Sequence, residues 1–314
     1  MASLLRLVEL TAPLFVLVAV GYFLTRAGRW PMAAGDALTR FVFAVAIPVL
    51  LFRLMSDFAR EPRVDARLLV AYFGACLVVY GIGRAVAASL FRMDGAAQSV
   101  FALGGIFSNN VLLGLPLAKV TLGEAALPAV SLVLVFNSLL LWTLATASVE
   151  WARHGALSWR GLTDTVVGVA RNPIVGSILL GTAFGFTGLA LPGFVDQTMQ
   201  LLGNAAIPLS LVALGMGLAG FGAAAGWRES AAMALIKLLV HPVAVYAAAR
   251  LLALPPLETA AIVMLAALPV GANVYLMSRQ FNVLAGPVAS AIVLTTALAA
   301  VTTPIVLTLA GARG

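Results

Sequence analysis

The feature that most limits what this chain can fold into is a succession of apolar runs, each about twenty residues long, joined by short polar connections. Such a run matches the helix needed to cross a hydrocarbon core of about 30 Å. Marking the runs between charges, Gly/Pro breaks and turn clusters gives ten, at 7–25, 37–55, 66–90, 97–119, 124–148, 167–189, 194–220, 229–253, 257–279 and 284–310. Their continuity excludes a membrane β-barrel, whose strands alternate over segments of about 10 residues. Of 314 residues, 62% are hydrophobic and 10% charged. A soluble domain has about 45–50% and 25%, so in water this chain would leave much of its apolar surface exposed. The expectation is an all-α integral membrane protein of ten transmembrane helices, multi-pass in the cytoplasmic membrane, with the lipid bilayer as its surroundings.

Charge and cysteine usage remove other classes. The formal net charge is +7, but the basic residues stand singly at run ends, as interfacial anchors do, and form no nucleic-acid patch. They divide ten against eight between the two sides, with Arg40 counted among the connections and Lys237 inside a run. That bias is too even to set an orientation. Cys76 is the sole cysteine and His154 and His241 the sole histidines. With no His–Glu motif and no paired mid-run carboxylates, neither an enzyme nor a metal or cofactor site is expected. The first run is followed by Gly28-Arg29-Trp30-Pro31 rather than by a small-residue cleavage site, so it reads as a span and not a signal peptide.

The charged stretch Glu150–Arg171 lies near the midpoint, and a shift of 160 residues superposes landmarks of the two halves. Pro13 falls on Pro173, Gly21 on Gly181, Gly28 on Gly188 and Ile47-Pro48 on Ile207-Pro208. At a shift of 159, Pro128 falls on Pro287 and Ser131 on Ser290. Gly and Pro inside spans cost helix stability and need a structural reason, so these matches weigh more than apolar ones. The halves are 1–150 and 172–314, joined by 151–171, with five spans in each. Two halves with an odd number of spans insert with opposite topology, and inverted repeats are a carrier signature. Chance alignment within an apolar chain is the alternative.

Corresponding spans of the two halves, the fourth and the ninth, carry breaks. The fourth reads Gly104-Gly105-Ile106-Phe107-Ser108-Asn109-Asn110, then Val111-Leu112-Leu113-Gly114-Leu115-Pro116; the ninth reads Ala266-Ala267-Leu268-Pro269-Val270-Gly271-Ala272-Asn273-Val274. A break frees backbone N–H and C=O groups inside the membrane. An Asn there is costly unless its amide is satisfied. Ser108, Asn109, Asn110 and Asn273 are therefore candidate substrate-binding residues, and Gly114, Pro116, Pro269 and Gly271 candidates for shaping the breaks. Half-helix N-termini offer unbonded N–H groups and positive partial charge, which suits an anion such as a carboxylate. Asn137, with Ser131, could complete a polar pocket; for all these residues the alternative is interhelical bonding. Lys237 and His241, at i and i+4, share a helix face. They either support substrate charge or proton transfer, or satisfy free carbonyls at a break.

The ninth-span segment AALPVGANVYLMSRQFNV resembles the corresponding segment of the auxin efflux carrier family. Asn109…Gly114-Leu115-Pro116 is similar to that family's Asn-Thr-x-x-x-Gly-x-Pro motif, with Asn110 in place of the Thr, and Lys237-Leu-Leu-Val-His241-Pro242 resembles its bacterial branch. The resemblance spans essentially the whole chain. It implies two inverted five-helix halves in the fold shared with bile-acid symporters and the plant PIN carriers. Helices 1, 2, 6 and 7 would form a scaffold, and helices 3–5 and 8–10 a transport domain that moves as an elevator. Broken helices 4 and 9 would cross beside the substrate. By this resemblance Asn109 contacts substrate directly, with Asn273 opposite. The substrate would be a small organic anion of the malate or malonate kind, and the assembly a homodimer; Gly215-Met216-Gly217 would permit close helix contact. The long hydrophilic central loop of plant members is absent here.

Coupling is open at this stage. A sodium-coupled symporter of the bile-acid type would use neutral oxygens such as those of Ser108, Asn109 and Ser131. The ninth span, however, has only Glu258, at its start, to balance charge. Proton coupling or potential-driven transport is therefore preferred, and a channel, which would show a pore-lining filter, is disfavoured.

Overall fold

The computed structural model of the protein describes residues 2–56, 64–154, 167, 171–221 and 226–310. Helix dominates every described segment. In order these are α1 (Ala2–Arg26), α2 (Met32–Phe41), α3 (Ile47–Ser56), α4 (Arg67–Ser89), α5 (Gly95–Ile106) and α6 (Leu115–Thr121). They continue with α7 (Leu127–His154), α8 (Pro173–Phe186), α9 (Gly193–Ala219), α10 (Trp227–Leu235) and α11 (His241–Leu251). The last are α12 (Pro256–Ala267), α13 (Ala272–Gln280) and α14 (Ala285–Leu309). Among the described residues, seven continuous helical stretches are long and apolar enough to cross a membrane: 5–26, 32–56, 67–89, 124–153, 193–219, 227–251 and 285–309. The chain is a multi-pass membrane protein. The expected second run begins earlier than its apolar pattern, at Met32, because Gly35 is buried against the Met216 side chain despite its polar neighbours. The expected sixth run, 167–189, is helical over Pro173–Phe186, while residues 168–170 lie outside the described set.

Local chemistry sets several helix starts. The Asp94 carboxylate accepts from the Ala97 N–H at 2.8 Å and opens α5. Asn172 accepts from the Ile174 N–H at 2.9 Å and opens α8, whose first residue is Pro173. Outer faces carry large apolar side chains such as Val70, Leu77, Val78, Leu179 and Phe186. The shorter helices α5 and α12 are apolar over most of their length and largely buried. In α12 every residue from Thr259 to Ala267 is buried, as expected for a helix without a polar face.

Prolines leave a repeated mark. Three π-helical turns, Val42–Ala46, Asn110–Gly114 and Ile236–Val240, each end two residues before a proline: Pro48, Pro116 and Pro242. In each, the residue preceding the proline donates its N–H five residues back, Ile47 to Val42, Leu115 to Asn110 and His241 to Ile236. A proline has no N–H for the carbonyl four residues earlier, and its ring crowds that carbonyl. The widened turn absorbs the mismatch.

Glycines bring helices together where a side chain would not fit. Gly21 on α1 lies against the Val212 backbone of α9, and Gly181 on α8 against the Phe52 backbone of α3. Gly215 lies against Val18 of α1. It serves packing within the chain, so it gives no argument for a homodimer. Gly28 and Gly188 follow α1 and α8 at φ of 70° and 69°, left-handed values that glycine adopts without strain.

Candidate functional site

Two interruptions meet at the centre of the site. Helix α5 stops at Ile106, and residues 107–109 run non-helically into the π turn Asn110–Gly114. Helix α12 stops at Ala267, and residues 268–271 lead into α13. Leu268 is extended (φ −69°, ψ 157°), the conformation a following proline imposes. The stretches pair antiparallel at Ser108 and Val270. Asn109 N–H donates to the Pro269 carbonyl at 3.0 Å, and Gly271 N–H to the Phe107 carbonyl at 2.8 Å. A Cβ on Gly271 would sit 2.9 Å from the Ser108 carbonyl oxygen, so the pairing needs a glycine there.

The backbone groups freed by the breaks have partners on other helices, as buried polar groups require. Pro116 cannot serve the Leu112 carbonyl, which accepts instead from the Ser210 hydroxyl at 3.1 Å. Lys237 donates to the Ala266 carbonyl at 2.5 Å, and the Thr303 hydroxyl to the Ala267 carbonyl at 3.3 Å. The Val270 N–H donates to Thr295 Oγ1 at 3.1 Å. Ser210, Thr295 and Thr303 were not among the residues expected from sequence. Helical Ser and Thr by default bond back into their own turn, and nothing local marks these as serving a distant break.

Beside the paired stretches lies a cavity of about 520 Å³. Of the expected binding residues, Ser108, Asn109, Asn110, Asn137 and Asn273 all line it, as does Gly271. Asn109 and Asn110 are 6% and 2% exposed. Asn109 Nδ2, both amide atoms of Asn110, Ser108 Oγ and Asn137 Oδ1 are buried with no hydrogen-bond partner. The Tyr72 hydroxyl, also unpartnered, lies beside the Ser108 and Asn110 side chains. Ser131 is buried with an unpartnered hydroxyl but is not part of the lining. The opposite wall includes Asp36, Thr39, Arg40 and Phe43 from the second helical stretch and Asn172 from the start of α8. Sequence reasoning placed Arg40 with the connections. Only the i, i+3, i+4, i+7 spacing of these four, one helix face, hinted otherwise.

Gly114, Pro116 and Pro269 are buried in the frame rather than in the cavity wall. Lys237 and His241 are likewise fully buried behind the break. Lys237 Nζ is 3.2 Å from His241 Nδ1, and His241 Nε2 is 3.3 Å from Cys76 Sγ. The Tyr72 ring meets the His241 ring edge-on at 5.7 Å. This geometry favours, of the two expectations for Lys237, the one in which it satisfies a carbonyl at a broken helix. Among the described residues no cluster of three or more His, Cys, Asp or Glu could hold a metal ion.

Residues 6–307 match the family described as "Membrane transport protein". The chain is 29% identical over 298 residues to a Rhizobium meliloti protein described as "Putative malonate transporter", covering 93% of this chain and 92% of that one. It is 23% identical over 288 residues to a transporter of Methanocaldococcus jannaschii described as uncharacterized, covering 90% and 91%. These relatives are transporters and not enzymes. Apolar spans, paired breaks and a family match over nearly the whole length converge: the chain is a membrane transporter belonging to the membrane transport protein family, that of the auxin efflux carriers.

Proposed function

We propose that the protein is a secondary carrier of a small organic anion, recognised through a carboxylate at the meeting of the two breaks. The observation that carries this reading is the set of unpartnered buried amide and hydroxyl groups on Ser108, Asn109, Asn110 and Asn137, residues that all line one cavity. Leaving such groups unpaired costs about 1–3 kcal/mol each, a cost that a bound ligand or water offsets. The amides of Asn109 and Asn110 supply donors, and the first N–H groups of α13, with no side-chain cap, add positive partial charge beside Asn273. The name of the Rhizobium relative agrees with a carboxylate.

In this reading the chain has ten helices in two inverted halves, with broken helices crossing at Ser108 and Val270. Support comes from the glycine contacts. Under the 160-residue shift Gly21 becomes Gly181 and Val212 becomes Phe52, so the contact Gly21–Val212 maps onto the contact Gly181–Phe52. The helix-ending glycines Gly28 and Gly188 correspond in the same way. Helices α1, α2, α3, α8 and α9 form the scaffold, and the remainder carries the crossover and moves against it in an elevator step across the cytoplasmic membrane. The driving gradient is a proton gradient or the membrane potential. Sodium symport is a second reading, favoured by the unpartnered oxygens Ser108 Oγ and Asn110 Oδ1.

Reconstituted protein tests both parts. Malonate uptake into proteoliposomes is expected in the wild type, and Asn109→Ala is expected to reduce it at least tenfold. Intact uptake in that variant would overturn the crossover site. Proton, sodium and potential gradients imposed separately distinguish the driving forces; stimulation by sodium alone would favour the second reading.

A further inference from the structure

We propose that Arg40 is a second recognition point of the cavity: the crossover amides hold one carboxylate of the substrate and Arg40 the other, so that the site selects dianions over monoanions. This rests on the anion-carrier reading above. Arg40 stands eight residues into the helical stretch 32–56, about 12 Å from its start at the usual helical rise. It lines the cavity, and among the described residues it forms no hydrogen bond or ion pair. Arg40 and Asp36 are exposed at this open wall of the cavity, and a charged side chain that lies within a span and borders a cavity marks a substrate path more often than it marks packing.

The charges around it are few. Among the described residues, Asp36, at i−4 on the same helix face, is the one acidic residue of the lining and Arg40 the one basic residue. Neither is paired with the other in a salt bridge among the described residues. The guanidinium is thus free to take a carboxylate in the two-pronged geometry for which its planar fork is suited. The second end of the site is built separately: Asn109 and Asn110 are more than nine-tenths buried, and both carry unpartnered Nδ2 groups. Arg40 belongs to the second helical stretch and the amides to the crossover, so a dianion would bridge the two walls, whereas a monoanion would engage one.

The test compares malonate with monomethyl malonate, which keeps the carbon skeleton and loses one charge. Zero-trans uptake and mutual inhibition are measured in proteoliposomes at pH 7.5 for the wild type, Arg40→Gln, Arg40→Lys and Asn109→Ala. The wild type is expected to prefer malonate at least tenfold. Arg40→Gln is expected to raise the malonate KM at least tenfold, with the half-ester changed less than twofold. Arg40→Lys should retain part of the preference, since it keeps the charge but loses the planar two-pronged guanidinium. If Arg40→Gln does not reconstitute, the malonate to half-ester ratio of Arg40→Lys against wild type still decides, because losing that fork lowers the ratio by a few fold. An unchanged ratio in both variants, or equal losses for both compounds, overturns the proposal and leaves the carrier reading intact. No uptake of either compound by wild-type protein overturns both. A selective loss in Asn109→Ala with none in Arg40→Gln keeps the first carboxylate site and rejects the second.

Discussion

Lys237 has none of its surface exposed, yet no carboxylate lies among its hydrogen-bond partners, which are the Ala266 carbonyl and the His241 ring. Its position completes the hydrogen bonding of an interrupted helix rather than facing the cavity. Lys237→Met is therefore expected to cost about 1–3 kcal/mol, read as a lower melting temperature in detergent, with the malonate KM unchanged. A shifted KM at unchanged stability would give the residue a substrate role instead. Gly271→Ala is expected to be more damaging to transport than its size suggests. Its Cβ would meet the Ser108 carbonyl oxygen, which is backbone and cannot rotate away. Proteoliposome uptake beside a thermal melt checks this, and normal activity would count against the pairing geometry. At this scale the sequence was informative for amides and misleading for arginines. An Asn inside an apolar run has few bland explanations, whereas Arg near a run end fits a lipid anchor equally well. Arg84, inside the run 66–90, donates to Ser99 at 2.7 Å and to Gln98 at 3.3 Å and so ties α4 to α5, and Arg40 lines the cavity.

Among elements, the π turns before Pro48, Pro116 and Pro242 are local solutions to one steric problem. Prolines were visible in the sequence, but the widened turn was not, since the same residue can also kink a helix or start one. Pro208, 160 residues after Pro48, lies inside the continuous helix α9 with no such turn. Pro116, the proline of the fourth-span break, also makes Ser210 necessary. Ser210→Ala is expected to destabilise by about 1 kcal/mol. In a Pro116→Ala background the restored N–H can serve the Leu112 carbonyl, so the same substitution should then be nearly neutral. A double-mutant cycle by thermal unfolding measures this coupling, and additive effects would refute it. Slower amide hydrogen exchange over 110–114 in Pro116→Ala would report the return of an ordinary helical turn.

Over the whole molecule, ten runs, the two breaks and a numerical shift were legible from residue types alone, because hydrocarbon leaves few uses for Gly, Pro and Asn. What the sequence did not display was which half supplies each partner. The contacts Gly21–Val212 and Gly181–Phe52 join one half to the other in both directions. Gly21→Ala and Gly181→Ala should therefore destabilise by similar amounts, about 1–3 kcal/mol each, whereas Gly176→Ala, which meets nothing within 4 Å, should not. Melting temperatures of the three variants decide this, and a large difference between the first two would argue against equivalent contacts.

The two breaks are tied to each other by main-chain hydrogen bonds alone, Asn109 to Pro269 and Gly271 to Phe107. Most side-chain replacements there leave that tie in place, because its donors and acceptors belong to every amino acid except proline's missing N–H. Ser108, Asn109, Asn110 and Asn273 can then be exchanged for other polar residues without dismantling the frame that presents them. Such a design lets the polar lining drift over evolutionary time while the paired backbone stays the same.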